Sequence, residues 1–462
     1  MNTPLRITLL ISVIVLVGAG CGSDSSDATS ATEDVSLKYW RVFDDVDTLD
    51  SIIDDYRDAH SNVKISYTKW RFEEYEDELI RAFAEGRGPD MFTIHNTWMS
   101  SFEDLIMPMP ESITTSSLEQ QGTVRKETVT VVTTEETMSL RELKSDYVEQ
   151  VASDVVMDYQ ATSNSDVEDR IFGLPLALDT LALFYNKDLL DAAGIARPPG
   201  TWSDFQDDVE LLTSIDSEGN INQSGAAIGT SDNVDRAMDI LTLLMMQNGT
   251  DMTDSRGRVS FHVIPDDAPE DVYPGLDATE FYTDFANPTK SVYTWNDEYS
   301  DSFDAFANGE TAFFFGYSYH IPLIRTVAPK LNFAIDNVPQ ISGAQEVNFA
   351  NYWVEVVSKD TEDEDWAWGF ILYAADEDNV GSYLDEAGKP TALRSLISSQ
   401  LDDEMIGPFA EQVLTATSWY HGSDIDAAEE ALNELIDNIL SGIYEGEDAI
   451  ELAASKVSQT YE

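Results

Sequence analysis

Asp179 is the only charge in the apolar stretch Phe172–Tyr185, with Pro175 near its start. A carboxylate so placed either contacts a ligand or is held by hydrogen bonds at a hinge. The chain also has nine tryptophans. Trp40, Trp70 and Trp98 fall at predicted strand ends, Trp98 just after the polar run His95-Asn96-Thr97, and Trp295 falls in a loop-rich aromatic segment. Aromatic faces beside a few carboxylates and amides suit a molecule with apolar CH faces and hydroxyl edges. The alternative for each tryptophan is core packing. Covalent and metal chemistry find no such support. No Gly-x-Ser-x-Gly elbow, His-Glu-x-x-His helix or Walker loop occurs, and the five histidines (60, 95, 262, 320 and 421) do not share ligand spacing on one helix. With 87 acidic residues a carboxylate pair is always available, so its presence says nothing about glycoside hydrolysis. Binding without catalysis, metal or cofactor is the expectation, and a tethered carbohydrate-active enzyme is the alternative.

The elements that must position these residues alternate. Ser36–Val42 reads as a strand, and Val46, Leu49, Ile53 and Tyr56 recur at helical spacing. Val63–Tyr67 is a second strand, Tyr75, Leu79 and Phe83 mark a second helix, and Met91–Ile94 is a third strand. This order predicts a mostly parallel sheet covered by helices, with ligands beyond the carboxyl ends of its strands. Those ends are Trp40-Arg41, Lys69-Trp70 and His95 to Trp98. Residues 111–146, rich in Thr, Val, Glu and Ser, read as a small β-rich insertion, and Tyr147–Tyr159 as helical. Later come a helix capped by Thr201, an apolar helix Met238–Met246, strands at Ala312–Phe315, Leu331–Val338 and Asn351–Val357, and two amphipathic helices at the C-terminus.

The net charge is −61, from 87 acidic and 26 basic residues spread along all 462 positions. Phosphate backbones and anionic lipid heads both need clustered cations, which excludes nucleic acid and electrostatic membrane binding. The dispersed acids fit a solvated surface, of the kind a high-salt habitat selects. The one cysteine, Cys21, precludes an internal disulfide. Arg6, the apolar run Ile7–Val17 and Gly18-Ala19-Gly20 precede it, the layout of a secretory signal over residues 1–20. Gly20-Cys21-Gly22-Ser23 resembles a lipoprotein cleavage site, with lipidated Cys21 as the anchor and residues 21–34 as a flexible tether.

Five segments in order carry a resemblance to extracellular solute-binding protein family 1, the maltose-binding-protein type. They are Glu85-Gly86-Arg87-Gly88-Pro89-Asp90-Met91; Phe172-Gly173-Leu174-Pro175 with Leu183 to Leu189; Pro198-Pro199-Gly200-Thr201-Trp202; Phe306-Ala307-Asn308-Gly309-Glu310-Thr311-Ala312; and the closing helix pair with Ser441-Gly442 and Ala449-Ile450. The resemblance implies an α/β, two-lobed periplasmic-binding-protein-like fold with a cleft between lobes. One lobe would comprise 35–178 and 331–376, the other 179–330 and 377–462. It implies a monomer outside the cell membrane that closes on a small polar solute, a sugar or oligosaccharide, and hands it to ABC importer permease subunits. Polyols, peptides and glycerol phosphates are the alternatives, the last suited by Arg41, Lys69 and Arg71. The resemblance places a ligand-contacting acid at Asp179, aromatic contacts at Tyr317 and Tyr319 after Gly316, and Trp353 where the chain crosses back at the cleft. The further candidates Trp40, Trp70, Trp98, Asn96 and Trp295 come from strand ends and the loop.

Overall fold

The computed structural model describes residues 32–121, 127–265 and 272–461. The expected leader (1–20), Cys21 and the tether up to residue 31 lie outside the described residues.

The chain begins β1 (Val35–Val42), α1 (Asp50–Ala59), β2 (Val63–Trp70), α2 (Phe72–Ala84) and β3 (Met91–His95). β1 pairs in parallel with both β2 and β3, as the alternating pattern requires. β4 (Ile106–Met107) follows, then an antiparallel hairpin of β5 (Ser112–Gln121) and β6 (Glu127–Glu136). The insertion expected over 111–146 is therefore β-hairpin only to residue 136, because α3 (Leu140–Asp146) closes it as a helix. Its start carries a capping box: Ser139 Oγ accepts from the Glu142 backbone N–H at 3.3 Å, and the Glu142 carboxylate accepts from the Ser139 N–H at 2.9 Å. α4 (Glu149–Val155) is helical as expected, but β7 (Val156–Tyr159) then pairs with β8 (Glu168–Ile171).

β9 (Gly173–Leu174) and β10 (Asp179–Thr180) lead to the second lobe: β11 (Ala182–Asn186), α5 (Lys187–Ala193), α6 (Trp202–Leu212), β12 (Ser214–Ile215), β13 (Ile221–Ala226), α7 (Ala237–Gln247), α8 (Pro274–Asp284), α9 (Ser302–Ala307), β14 (Thr311–Gly316), α10 (His320–Val327) and β15 (Phe333–Asp336). Its sheet runs β12-β13-β14-β11-β15. β16 (Asn348–Asn351) returns the chain to β17 (Trp353–Ser358), which lies antiparallel to β3, β4 and β9 in the first sheet. The remainder is α11 (Glu364–Ala374), α12 (Glu377–Ala387), α13 (Ile397–Gln400), α14 (Gly407–Gln412), β18 (Ala416–Thr417), α15 (Ile425–Ser441) and α16 (Gly446–Gln459).

Three strand segments cross between the lobes and pair as one small sheet, β10-β16-β18. The crossings are sharp: Leu178 packs in the first core and Leu181 in the second, Phe349 in the second and Ala350 in the first. Ala416 belongs to the first core and Trp419 to the second. Two boundaries drawn from sequence move. Residues 331–349 go with the second lobe, because β15 hydrogen-bonds along β11. Residues 377–393 go with the first, because Val380, Tyr383, Leu384 and Leu393 fill its core. Strand partners are set by long-range pairing, which local periodicity does not carry.

Candidate functional site

One cavity of about 440 Å³ lies between the lobes and touches all three crossings. On the first wall, Trp353 opens β17 directly opposite His95, the last residue of β3. Its ring centroid is 5.5 Å from His95, 5.4 Å from Trp98 and 5.8 Å from Phe43, all near perpendicular. His95 Nδ1 accepts from the Thr97 N–H, leaving Nε2 to donate to Asn351 Oδ1 at 3.0 Å. Burial pushes the imidazole down to about 4, so it is neutral at pH 7.

The second wall follows β14. Gly316 is needed there, since a Cβ would sit 2.6 Å from the Phe314 ring and 2.8 Å from His320 Nδ1. Tyr317 donates to Asp239 Oδ2 at 2.6 Å, and Arg236 grips the same carboxylate with Nε at 2.7 Å and Nη2 at 3.0 Å. The next residue pair is organised by His320, which takes the Tyr317 N–H on Nδ1 and donates from Nε2 to Asp235 at 2.9 Å. Tyr319 lies over the His320 ring at 4.1 Å and leaves 44% of its surface exposed.

Asp179 joins the walls. Its Oδ2 accepts from the Ser318 N–H at 3.0 Å and hydroxyl at 2.5 Å, and its Oδ1 from the Thr180 N–H at 2.9 Å. Burial pushes its carboxyl up to about 7 against these donors. In the same lining, burial likewise raises Glu429 to about 7, opposed by Arg236. The floor holds a buried charge group. Arg41 Nη2 meets Asp44 at 3.1 Å and Glu355 at 3.0 Å, while Lys389 Nζ meets Asp44 at 2.7 Å. Tyr39 donates to Glu355 at 2.5 Å and Tyr383 to Asp44 at 2.9 Å. Arg41 Nε and Nη1 and the Thr93 hydroxyl are buried without hydrogen-bond partners, and both residues line the cavity.

Of the residues singled out from sequence, Asp179, Trp98, Tyr317, Tyr319 and Trp353 line this cavity together. Trp40, Trp70, Asn96 and Trp295 do not. Side chains alternate along β1, so Trp40 and the cavity-lining Arg41 leave on opposite faces. Trp40 packs against Trp70 at 4.9 Å. Asn96 is 2% exposed and donates to buried Asp154 at 3.2 Å. Trp295 is no exposed loop residue: it is fully buried in the second core, stacked on Tyr299 at 4.4 Å with its indole N–H on Asn233. Lys69 and Arg71, considered for a phosphate, pair instead with Asp45 and Glu74, outside the lining. The sequence reading missed Phe43, Phe72, Arg236 and Asp239. Asp239 carried a legible signal, being a lone acid in an apolar helix, the same pattern that singled out Asp179.

The raised Asp179 carboxyl fixes the sign of two pH effects. The folded state holds a proton that the unfolded chain releases near 3.9, so this contribution to stability is full below about 3.9 and is lost as pH rises through about 7. A ligand hydroxyl donating to Asp179 favours the ionised form. For a ligand bound through such a hydroxyl, affinity would rise up to about tenfold between pH 6 and 8. Calorimetric titration across that range checks this, and Asp179→Asn leaves only the share owed to Glu429.

The sequence pattern of the bacterial extracellular solute-binding protein family matches residues 43–381. A binding protein of Brucella abortus is 36% identical over 56 residues, 12% of this chain; the chain thus spans only 14% of the length of the curated relatives it matches. Among solved structures, the GacH receptor of Streptomyces glaucescens, studied with acarbose, is similar with a TM-score of 0.67 at 18% identity, over 93% of this chain and 100% of that one. The sugar-binding protein MalE of Xanthomonas citri gives 0.69 at 16% identity, over 92% and 97%. The cyclic α-maltosyl-1,6-maltose binding protein of Arthrobacter globiformis gives 0.68 at 16% identity, over 92% and 98%. These likenesses establish the two-lobed fold, and the family match over most of the chain settles its membership: it belongs to the bacterial extracellular solute-binding proteins.

Proposed function

We propose that this chain binds a sugar or oligosaccharide between its lobes and presents it, by hinge closure, to the permease of an ABC importer. Lipidated Cys21 would hold it, as a monomer, at the outer face of the cell membrane. The observation that carries the reading is one cavity bearing aromatic rings on both walls, Trp353 and Tyr319, with the part-buried Asp179 between. Rings take the apolar faces of a pyranose, and the polar groups take its hydroxyls. The similar solved structures, described with acarbose, as binding cyclic α-maltosyl-1,6-maltose, or as sugar-binding, support the same ligand class.

Electrostatics favour a neutral ligand. Arg41, Arg236 and Lys389 are each matched by carboxylates, so an anionic glycerol phosphate would find no free cation. The energetics suffice. Driving closure from 1:99 to 99:1 takes about 5.5 kcal/mol of preference, and micromolar binding supplies about 8.

A thermal and intrinsic-fluorescence screen of mono- to tetrasaccharides tests this. The cognate sugar at a hundred times its Kd stabilises the fold by about 2.7 kcal/mol, and the sugar is recovered unchanged. A sugar panel without any shift, or cleavage of the sugar, would sink the reading.

A further inference from the structure

We propose that Phe43 and Phe72 form an outer subsite that stacks on a second sugar ring, so that the cleft selects an oligosaccharide over a monosaccharide. The proposal rests on the sugar reading above and extends it to ligand length.

The starting observation is backbone strain. Among the described residues, the non-glycine positions with positive φ are Phe43, at +67°, and Arg236, at +59°. Both line the cavity. The left-handed region is disfavoured for a bulky side chain, whereas Gly, Asn or Asp would adopt it readily. Strain of this kind persists where function uses it.

The strained residue is not part of the core. Phe43 is 53% exposed and Phe72, the first residue of α2, is 50% exposed. The two rings stack on each other, 5.8 Å apart and 21° from parallel. Each also meets Trp353 nearly at right angles, at 5.8 and 6.2 Å. The pair is therefore continuous with the central platform and extends it toward solvent. Its surroundings are polar, with the exposed ion pairs Lys69–Asp45 and Arg71–Glu74 beside it. Half-exposed aromatic faces framed by charged groups at a cavity mouth match the CH face and hydroxyl rim of a further sugar unit. Folding alone gives no reason to hold a phenylalanine in a strained conformation with half its surface in water.

The test compares wild type, Phe43→Asn and Phe72→Ala by calorimetric titration with glucose, maltose, maltotriose and maltotetraose and with the matching cello-oligosaccharides. In the wild type, affinity climbs with chain length. In both variants the ratio of long-chain to monosaccharide affinity falls about tenfold, the scale of one aromatic contact. Phe43→Asn keeps or raises the melting temperature, because asparagine relieves the strain. An unchanged ratio overturns the subsite while leaving the sugar reading in place. So does an equal loss at every chain length, which would mark the pair as a closure contact. Failure of the wild type to bind any of these sugars overturns the subsite, and failure across the whole mono- to tetrasaccharide screen overturns both.

Discussion

Trp353→Ala weakens sugar binding about a hundredfold, some 3 kcal/mol, the effect of removing a central aromatic anchor. The size follows from position. Trp353 begins β17, the strand that returns the chain to the first sheet, and is ringed by His95, Trp98, Phe43 and Phe72. Those neighbours fix its ring before ligand arrives, so binding loses little rotamer freedom. Trp353→Phe keeps an aromatic face and recovers most of the affinity. Isothermal calorimetry on the two variants separates loss of the platform from loss of the fold: equal damage in both would mean that Trp353 acts through packing alone.

Arg41→Met destabilises the first lobe by about 3–5 kcal/mol, since it leaves buried carboxylates short of a partner. Arg41 is 3% exposed, and burial opposes its charge, but Glu355, Asp44 and their tyrosines hold it charged. Glu355 already sits at about 6 because burial outweighs the attraction of Arg41. Without Arg41 its carboxyl rises further. A raised carboxyl means that the folded state keeps a proton the unfolded chain gives up, so stability is lost as pH rises. The deficit of Arg41→Met is accordingly smallest near pH 5 and widest near pH 8, which urea titrations at the two values will show. Adding Glu355→Gln restores part of the loss, since it removes the orphaned charge. A pH-independent deficit would mean that lost packing dominates.

The fold was largely legible because its signals are local. Alternating strands and helices before residue 95, the Thr201 cap and the five ordered segments all have short-range causes: periodicity, capping and tight turns. Lobe boundaries were less legible, because β15 chooses its partner far along the chain, Asn186 pairing with Phe333. The site divides in the same way. Asp179 and Asp239 betray themselves as lone acids in apolar runs. Trp40 and Trp295 misled because being at a strand end or in a loop says nothing about which face a side chain takes or what folds over it. Phe43 was invisible, since its significance lies in a backbone angle that no residue pattern encodes.

On the proposed reading a sugar binds between the walls carrying Trp353 and Tyr319. Side-by-side calorimetric titration of wild type and Trp353→Ala, with the sugar returned by the screen, tests it most directly. The wild type binds at one saturable site, and the variant about a hundredfold more weakly. Undiminished binding by Trp353→Ala would place the ligand elsewhere and contradict it.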